Sequence, residues 1–329
     1  MTIARRHQIN LEATPYYHCT SRCVRRAYLC GEDSHTGQSY SHRRKWVESW
    51  LLKLNEAFCI ELVGYAVMSN HYHVILRVDS EEGMQLSDDQ VIDRWSLIYQ
   101  PGGLMRHYRQ GGEITGEEYQ VINETLNRWR ETLMSISRFM GYLNERIARE
   151  ANREDQCRGR FWEGRFHSQA LLDEASLLQC MVYVDLNPIR SGIASTPDSS
   201  EHTSVKHRID KRKRHEGDQL MGFPDDVTGE RDNHGEGSLP LTFTDYLTLL
   251  DWSGRLVRED RRGYIAPSCG DILLRLGLTE AHWSDALHRQ GVWTSRALGS
   301  GEKLKSYSQL LGQQWICQRR KSTALPPPS

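Results

Sequence analysis

Nothing in these 329 residues approaches the roughly 20-residue apolar run that crosses a bilayer. The opening Met1-Thr2-Ile3-Ala4-Arg5-Arg6 lacks the apolar core of a signal peptide. The expectation is a cytoplasmic protein with no membrane partner, nucleoid-associated if its host is a prokaryote. Neither sign of charge dominates: 42 Lys and Arg stand against 43 Asp and Glu, so the overall balance does not announce nucleic acid. Cysteine is sparse for the length. Eight cysteines scattered along the chain exclude the dense disulfide framework of a small secreted domain. Cys19, Cys23 and Cys30 lie near His18, but no second Cys-x2-Cys pair completes a zinc site, so buried thiols are expected. No internal repeat is visible.

What charge there is clusters. Basic groups stand at Arg5-Arg6, Arg25-Arg26, Arg43-Arg44-Lys45 and Lys211-Arg212-Lys213-Arg214, and acidic ones gather around 81–93 and 216–236. Such patches can hold phosphates on a neutral protein, although most charge runs are solvated faces.

Residues 14–30 read as a first strand entering a basic loop. Residues 41–58 read as an amphipathic helix, with Trp46, Trp50, Leu51, Leu54 and Phe58 at helical spacing. Two β-rich stretches, 61–66 and 67–78, meet about Met68-Ser69-Asn70. In the second, Tyr72, Val74, Leu76 and Val78 alternate with His71, His73, Ile75 and Arg77, which puts the first set on the core and the histidines on the opposite face. Residues 80–121 are polar and read as an insertion. A helix is expected over 125–151, a strand within 160–172, and a helix from an Asp173 N-cap to about 187, ended near Pro188. This order predicts an α+β fold with helices on an antiparallel sheet. Residues 196–240 read as a polar linker with a short helix near 202–214, residues 241–320 as a helical accessory domain, and 321–329 as a disordered tail.

Two patterns carry chemistry. His71 and His73, two apart on a strand, point the same way and could ligate one ion. Half-buried structural histidines are common, so this pair alone does not define a site. Gln179, Tyr183 and Asn187 form a polar stripe along one helix face, flanked by Leu177, Leu178, Met181, Val182 and Val184. Taken alone, that stripe fits a tyrosine reaching a wet surface, with Asn187 ending the helix.

Together these patterns resemble the HUH superfamily, and within it the REP-associated tyrosine transposases, which carry a single tyrosine. The resemblance rests on Met68-Ser69-Asn70-His71-Tyr72-His73-Val74, on Gly159-Arg160-Phe161-Trp162-Glu163-Gly164-Arg165-Phe166, on Tyr183-Val184-Asp185-Leu186-Asn187-Pro188-Ile189-Arg190-Ser191-Gly192, and on Tyr17-His18-Cys19-Thr20-Ser21-Arg22. It covers about residues 12–195 and is interrupted by the 80–121 insertion.

The resemblance implies a ferredoxin-like antiparallel sheet on whose face the histidines and the tyrosine helix meet. It implies that His71, His73 and Asn187 hold a divalent ion, Mg2+ or Mn2+, and that Tyr183 attacks a phosphodiester to give a 5′-phosphotyrosine. The implied substrate is single-stranded DNA beside a hairpin, cleaved and rejoined as in transposition. Arg22, Arg25, Arg26, Arg158, Arg160 and Arg165 lie near the motifs, and Lys211, Arg212, Lys213 and Arg214 form a further phosphate-binding candidate. Phe161 or Trp162 could stack on a base or belong to the core. Tyr72 departs from the bulky aliphatic usual between the histidines and sets a second tyrosine near the ion. Asp185, two residues beyond Tyr183, points roughly opposite it and is expected to cap or pair elsewhere. A nickase of replication or plasmid transfer, and a repeat-binding protein that does not cut, are the alternatives. Relatives include dimers; the sequence leaves the oligomeric state open.

Overall fold

The computed structural model describes residues 8–24, 29–32, 37–224, 239–257, 267–288, 295–313 and 324–325. Strand β1 (Tyr16–Arg22) leads through helix α1 (Arg43–Ala57) to β2 (Ile60–Val67) and β3 (His71–Val78). Helices α2 (Ser80–Gln85), α3 (Asp88–Ser96), α4 (Gly103–Arg109), α5 (Gly116–Leu133) and α6 (Ile136–Glu154) precede β4 (His167–Leu171). Then come α7 (Glu174–Asp185), α8 (Asn187–Arg190) and α9 (Ser204–Lys213). Helices α10 (Phe243–Val257), α11 (Pro267–Arg275) and α12 (Glu280–His288) are followed by β5 (Ala297–Ser300), α13 (Gly301–Leu310) and β6 (Ala324–Leu325).

The sheet order is β2-β3-β1-β4-β5-β6. Its first four strands pair antiparallel, and their order and helix crossovers are those of a ferredoxin-like βαββαβ unit. The fold is therefore α+β, as the element pattern predicted. Strand β5 extends it in parallel pairing with β4, and β6 in parallel pairing with β5.

Strand alternation gives the sheet two buried faces. Tyr17, Cys19, Tyr72, Val74 and Leu76 join α1, α3, α5 and α6 in one core. Val63, Ala66, Ile75 and Leu171 join α7 and α10–α12 in the other. The buried Arg43 side chain pairs with Glu154 and Asp155 and pins the start of α1 to the end of α6.

Several expectations need correction. The helix placed at 125–151 is two, because Ser135 caps α6 by accepting from the Arg138 N–H and breaks the run after Leu133. The supposed insertion at 80–121 contributes Leu86, Val91, Ile92, Ile98 and Met105 to the first core; its polar composition reflects only the outer faces of short helices. The linker at 196–240 is, over its described part, packed structure. Thr203 bridges Ala66 on β2, and the buried Arg208 donates to the Val63 and Met221 carbonyls. Gly64 makes this approach feasible, since a Cβ there would stand 3.2 Å from Ser204 Oγ. The region from 241 shares the second core with α7, so its apolar residues complete the same sheet. In the tail, Ala324 and Leu325 pair with Gly299 and Ser300. The described cysteines are free thiols, nearly all buried.

Candidate metal centre and tyrosine site

The site is assembled by register. In β1 and β3, Arg22 lies opposite His71, Thr20 opposite His73, and His18 opposite Ile75. Directly opposed residues share a face, so Arg22, Thr20 and His18 stand with the two histidines. Strand β4 adds Gln169 opposite His18 and His167 opposite Thr20. Helix α7 lies over this face, and the Tyr183 ring is 5.6 Å from that of His73 and 6.4 Å from that of His18, centroid to centroid. His71 and His73 lie 4.9 Å apart by the same measure. Two motifs more than 100 residues apart in sequence thus meet on one face.

Helix α7 is fixed at its start by Asp173, whose carboxylate accepts from the Ser176 N–H at 2.9 Å and the Ser300 N–H at 2.7 Å. It ends at Asp185, two residues short of the expected stop, and Asn187-Pro188 opens α8. Pro188 has no N–H to continue the helix and is well suited to a first turn. Asn187 nevertheless stays beside the tyrosine, with Nδ2 3.5 Å from the Tyr183 carbonyl. Its Oδ1 is thereby left as the atom that could ligate. Asp185 faces away and accepts from the Ser204 and Tyr246 hydroxyls and the Val205 N–H, as its angular offset from Tyr183 requires.

Burial keeps the imidazoles neutral. It lowers His71 to about 4, with the Arg22 charge adding to the effect, and His18 to about 3. His73 is depressed well below the ordinary value by burial and by its two histidine neighbours. Neutral imidazoles keep the lone pair that a metal requires. His71 Nδ1 stands 2.6 Å from the side-chain Oδ1 of Asn70, an amide oxygen that only accepts, so Nδ1 carries the proton and Nε2 is open. His73 Nε2 is buried with no hydrogen-bond partner among the described residues. An orphaned buried imidazole nitrogen is costly unless another group claims it, and this one fits an ion.

Among the described residues no group of three or more His, Cys, Asp or Glu is gathered for a metal. Two imidazoles and an amide oxygen are donors that would suit such an ion, with the remaining positions for water.

The Tyr183 phenol is pushed up by burial and pulled back by the Asn187 amide and by the Arg190 and Arg22 charges. Arg190, not singled out from sequence, holds its guanidinium 5.6 Å from the ring centroid and donates to the Leu287 carbonyl at 2.5 Å. His18 and Gln169 were also missed as site residues. The available signal was alternation: with Tyr17 and Cys19 in the core, His18 must turn to the histidine face.

The other expected residues divide. Arg22 is at the mouth. Arg158, Arg160 and Arg165 are exposed on a loop joined to the end of β1, where Glu163 N–H donates to the Arg22 carbonyl and Val24 N–H to that of Phe161. Arg25 and Arg26 lie outside the described residues. Lys211–Arg214 ends α9, which starts beside Ala66 and Val67 and packs on β2 through Arg208 and the Val63 carbonyl. Lys211 pairs there with Glu216 and Lys213 with Asp198, while Arg212 covers the Phe243 ring. Phe161 and Trp162 are core, with Trp162 Nε1 donating to the Asn144 carbonyl, so neither is free to stack on a base. Tyr72 is buried on the far face, donating to Asn144 Oδ1, and is no second nucleophile.

No family model matches this chain, and no curated protein matches it. Among solved structures it is similar to that of a REP-associated tyrosine transposase bound to a REP hairpin, over 72% of this chain and 98% of that one, at 13% identity and a TM-score of 0.34. A likeness of that depth assigns no activity. Among the described residues no helix is long and apolar enough to cross a membrane.

Proposed function

We propose that this protein is a metal-dependent tyrosine endonuclease and strand transferase, of transposase type, acting on single-stranded DNA beside a hairpin. The observation that carries the reading is the meeting of His71, His73 and Tyr183 on one sheet face, with a buried His73 Nε2 that has no hydrogen-bond partner among the described residues. His71 Nε2, His73 Nε2 and Asn187 Oδ1 would hold Mg2+ or Mn2+. A divalent ion bound there polarises the scissile phosphate and offsets charge in the transition state.

The chain's own groups do the rest. Arg190 and Arg22 favour the Tyr183 phenolate against the cost of burial. Its oxygen attacks phosphorus, the bond from phosphorus to the 3′ oxygen breaks, and that oxygen takes up a proton. The products are a 5′-phosphotyrosine and a free 3′-hydroxyl. Phosphodiester energy is kept in the ester, so rejoining needs no nucleotide. Arg22 and the loop bearing Arg158, Arg160 and Arg165 offer phosphate contacts at the same end of the sheet.

The test incubates the protein with labelled hairpin-flanked single strands drawn from DNA beside its gene, with Mn2+ or Mg2+. A denaturing gel should show a covalent adduct that requires metal and is lost in Tyr183→Phe. Tight binding of such DNA with no adduct, unchanged by Tyr183→Phe, would instead identify a recognition protein.

A further inference from the structure

We infer that His18, Gln169 and Ser295 form a hydrogen-bond relay that fixes the proton of His73 on Nδ1 and so presents Nε2 as the metal ligand. This rests on the metal reading above and extends it to the role of the C-terminal strand.

Each link can be assigned a direction. Ser295 Oγ donates its single proton to the Ala297 carbonyl at 3.0 Å, so toward any other group it can only accept. Gln169 faces both that oxygen at 2.7 Å and the Ser295 carbonyl at 3.0 Å. Two acceptors demand the amide NH2, since the reversed amide would set oxygen against oxygen. Gln169 Oε1 is therefore turned to His18 Nδ1, 3.4 Å away, and as a carbonyl oxygen it only accepts. The proton of His18 is then on Nδ1, and Nε2 carries a lone pair. That lone pair lies 2.9 Å from His73 Nδ1. The rings are within 10° of parallel with centroids 5.1 Å apart. This separation is close to the N···N contact plus two ring radii, the in-plane geometry of an N–H···N bond rather than a stack. His73 must be the donor, and its Nε2 is left bare, as observed.

Ser295 stands two residues before β5, whose pairing is adjacent: the Ala170 and Leu172 N–H groups donate to the Arg296 and Leu298 carbonyls, each at 2.9 Å. The segment added to the β4 edge thus supplies the last acceptors of a chain ending at the ligand. His18 and Gln169 are positioning residues, acting through His73. Partners of this kind orient ligating histidines, and their loss typically weakens metal affinity about 10- to 100-fold.

The test begins on the metal-free wild-type protein, labelled with 15N. Long-range proton–nitrogen correlations of the imidazoles should show His73 protonated on Nδ1 rather than in the Nε2–H form that free imidazole side chains favour. Finding Nε2–H there overturns the relay, with no substitution needed. The second arm titrates Mn2+ by calorimetry against wild type, His18→Phe and Gln169→Leu. His18→Phe, if it keeps the wild-type circular dichroism, should move His73 to Nε2–H and weaken Mn2+ by about 10- to 100-fold. Gln169→Leu leaves His73 untouched and should yield mixed tautomers with a smaller loss. Unchanged Mn2+ affinity in a folded His18→Phe protein overturns the inference. Should wild type bind no Mn2+ while His73 remains Nδ1–H, the metal reading fails and the relay stands.

Discussion

Asp185 sits two residues beyond the phenol and shows what a buried carboxylate does when it is not catalytic. It accepts from Ser204, Val205 and Tyr246, tying α7 to α9 and α10. Asp185→Ala would strand two hydroxyls and an N–H away from water, at about 1–3 kcal/mol for each unsatisfied group. We expect a loss of stability of at least ~3 kcal/mol in urea unfolding; a loss under 1 kcal/mol would mean that water reaches the three donors. At this scale the sequence was partly legible. His71, His73, Tyr183 and Asn187 could be found because strand and helix periodicities fix which way each points. Alternation with Tyr17 and Cys19 set the face of His18, but Gln169 and Arg190 could not be placed, because their roles depend on which strands become neighbours and on how an arginine folds back over a ring.

Glu48 on α1 works between elements. It accepts from the Tyr65 hydroxyl on β2 and lies 3.0 Å from His202, just ahead of α9. Burial raises its carboxyl, but the His202 and Tyr65 hydrogen bonds outweigh burial and hold it below its ordinary 4.5. A carboxylate with a folded pKa below its unfolded one stabilises the fold fully above the unfolded value and loses that contribution as pH falls through the folded value. Glu48→Gln should therefore cost more at pH 7 than at pH 3, by urea melts at both; equal losses would refute the assignment. Helix α7 is similarly held by Asp173. Asp173→Ala should cost about 1–2 kcal/mol for the cap alone, and more if the Ser300 link is strong. Tyr183 rides on that helix, so adduct yield should fall as well. The element pattern through β3 was readable because the strands alternate cleanly. The packed helices at 80–121 and 196–224 were not, since short helices with one narrow buried face look polar in composition; what reveals them is tertiary contact such as Arg208 with Val63.

For the whole molecule, near-zero net charge means that the DNA affinity we propose would have to come from local fields. Arg22→Ala should lower affinity for single-stranded DNA and reduce the slope of log affinity against log salt by about 1. Lys211→Ala with Lys213→Ala should leave that slope unchanged, because both lysines already face acidic partners. The reverse pattern, measured by fluorescence anisotropy across a salt series, would move the DNA path away from the histidine face. The α+β class was legible from the order of the elements, whereas the ferredoxin-like strand order was only what the resemblance implied. The parallel extension by β5 was not, because a four-residue strand in a helix-rich region leaves no periodic signal.

That extension also places the site in time. Ser295 lies 126 residues after Gln169, and at synthesis rates of about 5–20 residues per second the ribosome needs roughly 6–25 s to travel from one to the other. From Tyr183 onward, for most of that interval, the nascent chain carries both histidines and the tyrosine while β4 still lacks its β5 neighbour. The relay thus closes only once Ser295 has been made, well after both histidines and the tyrosine.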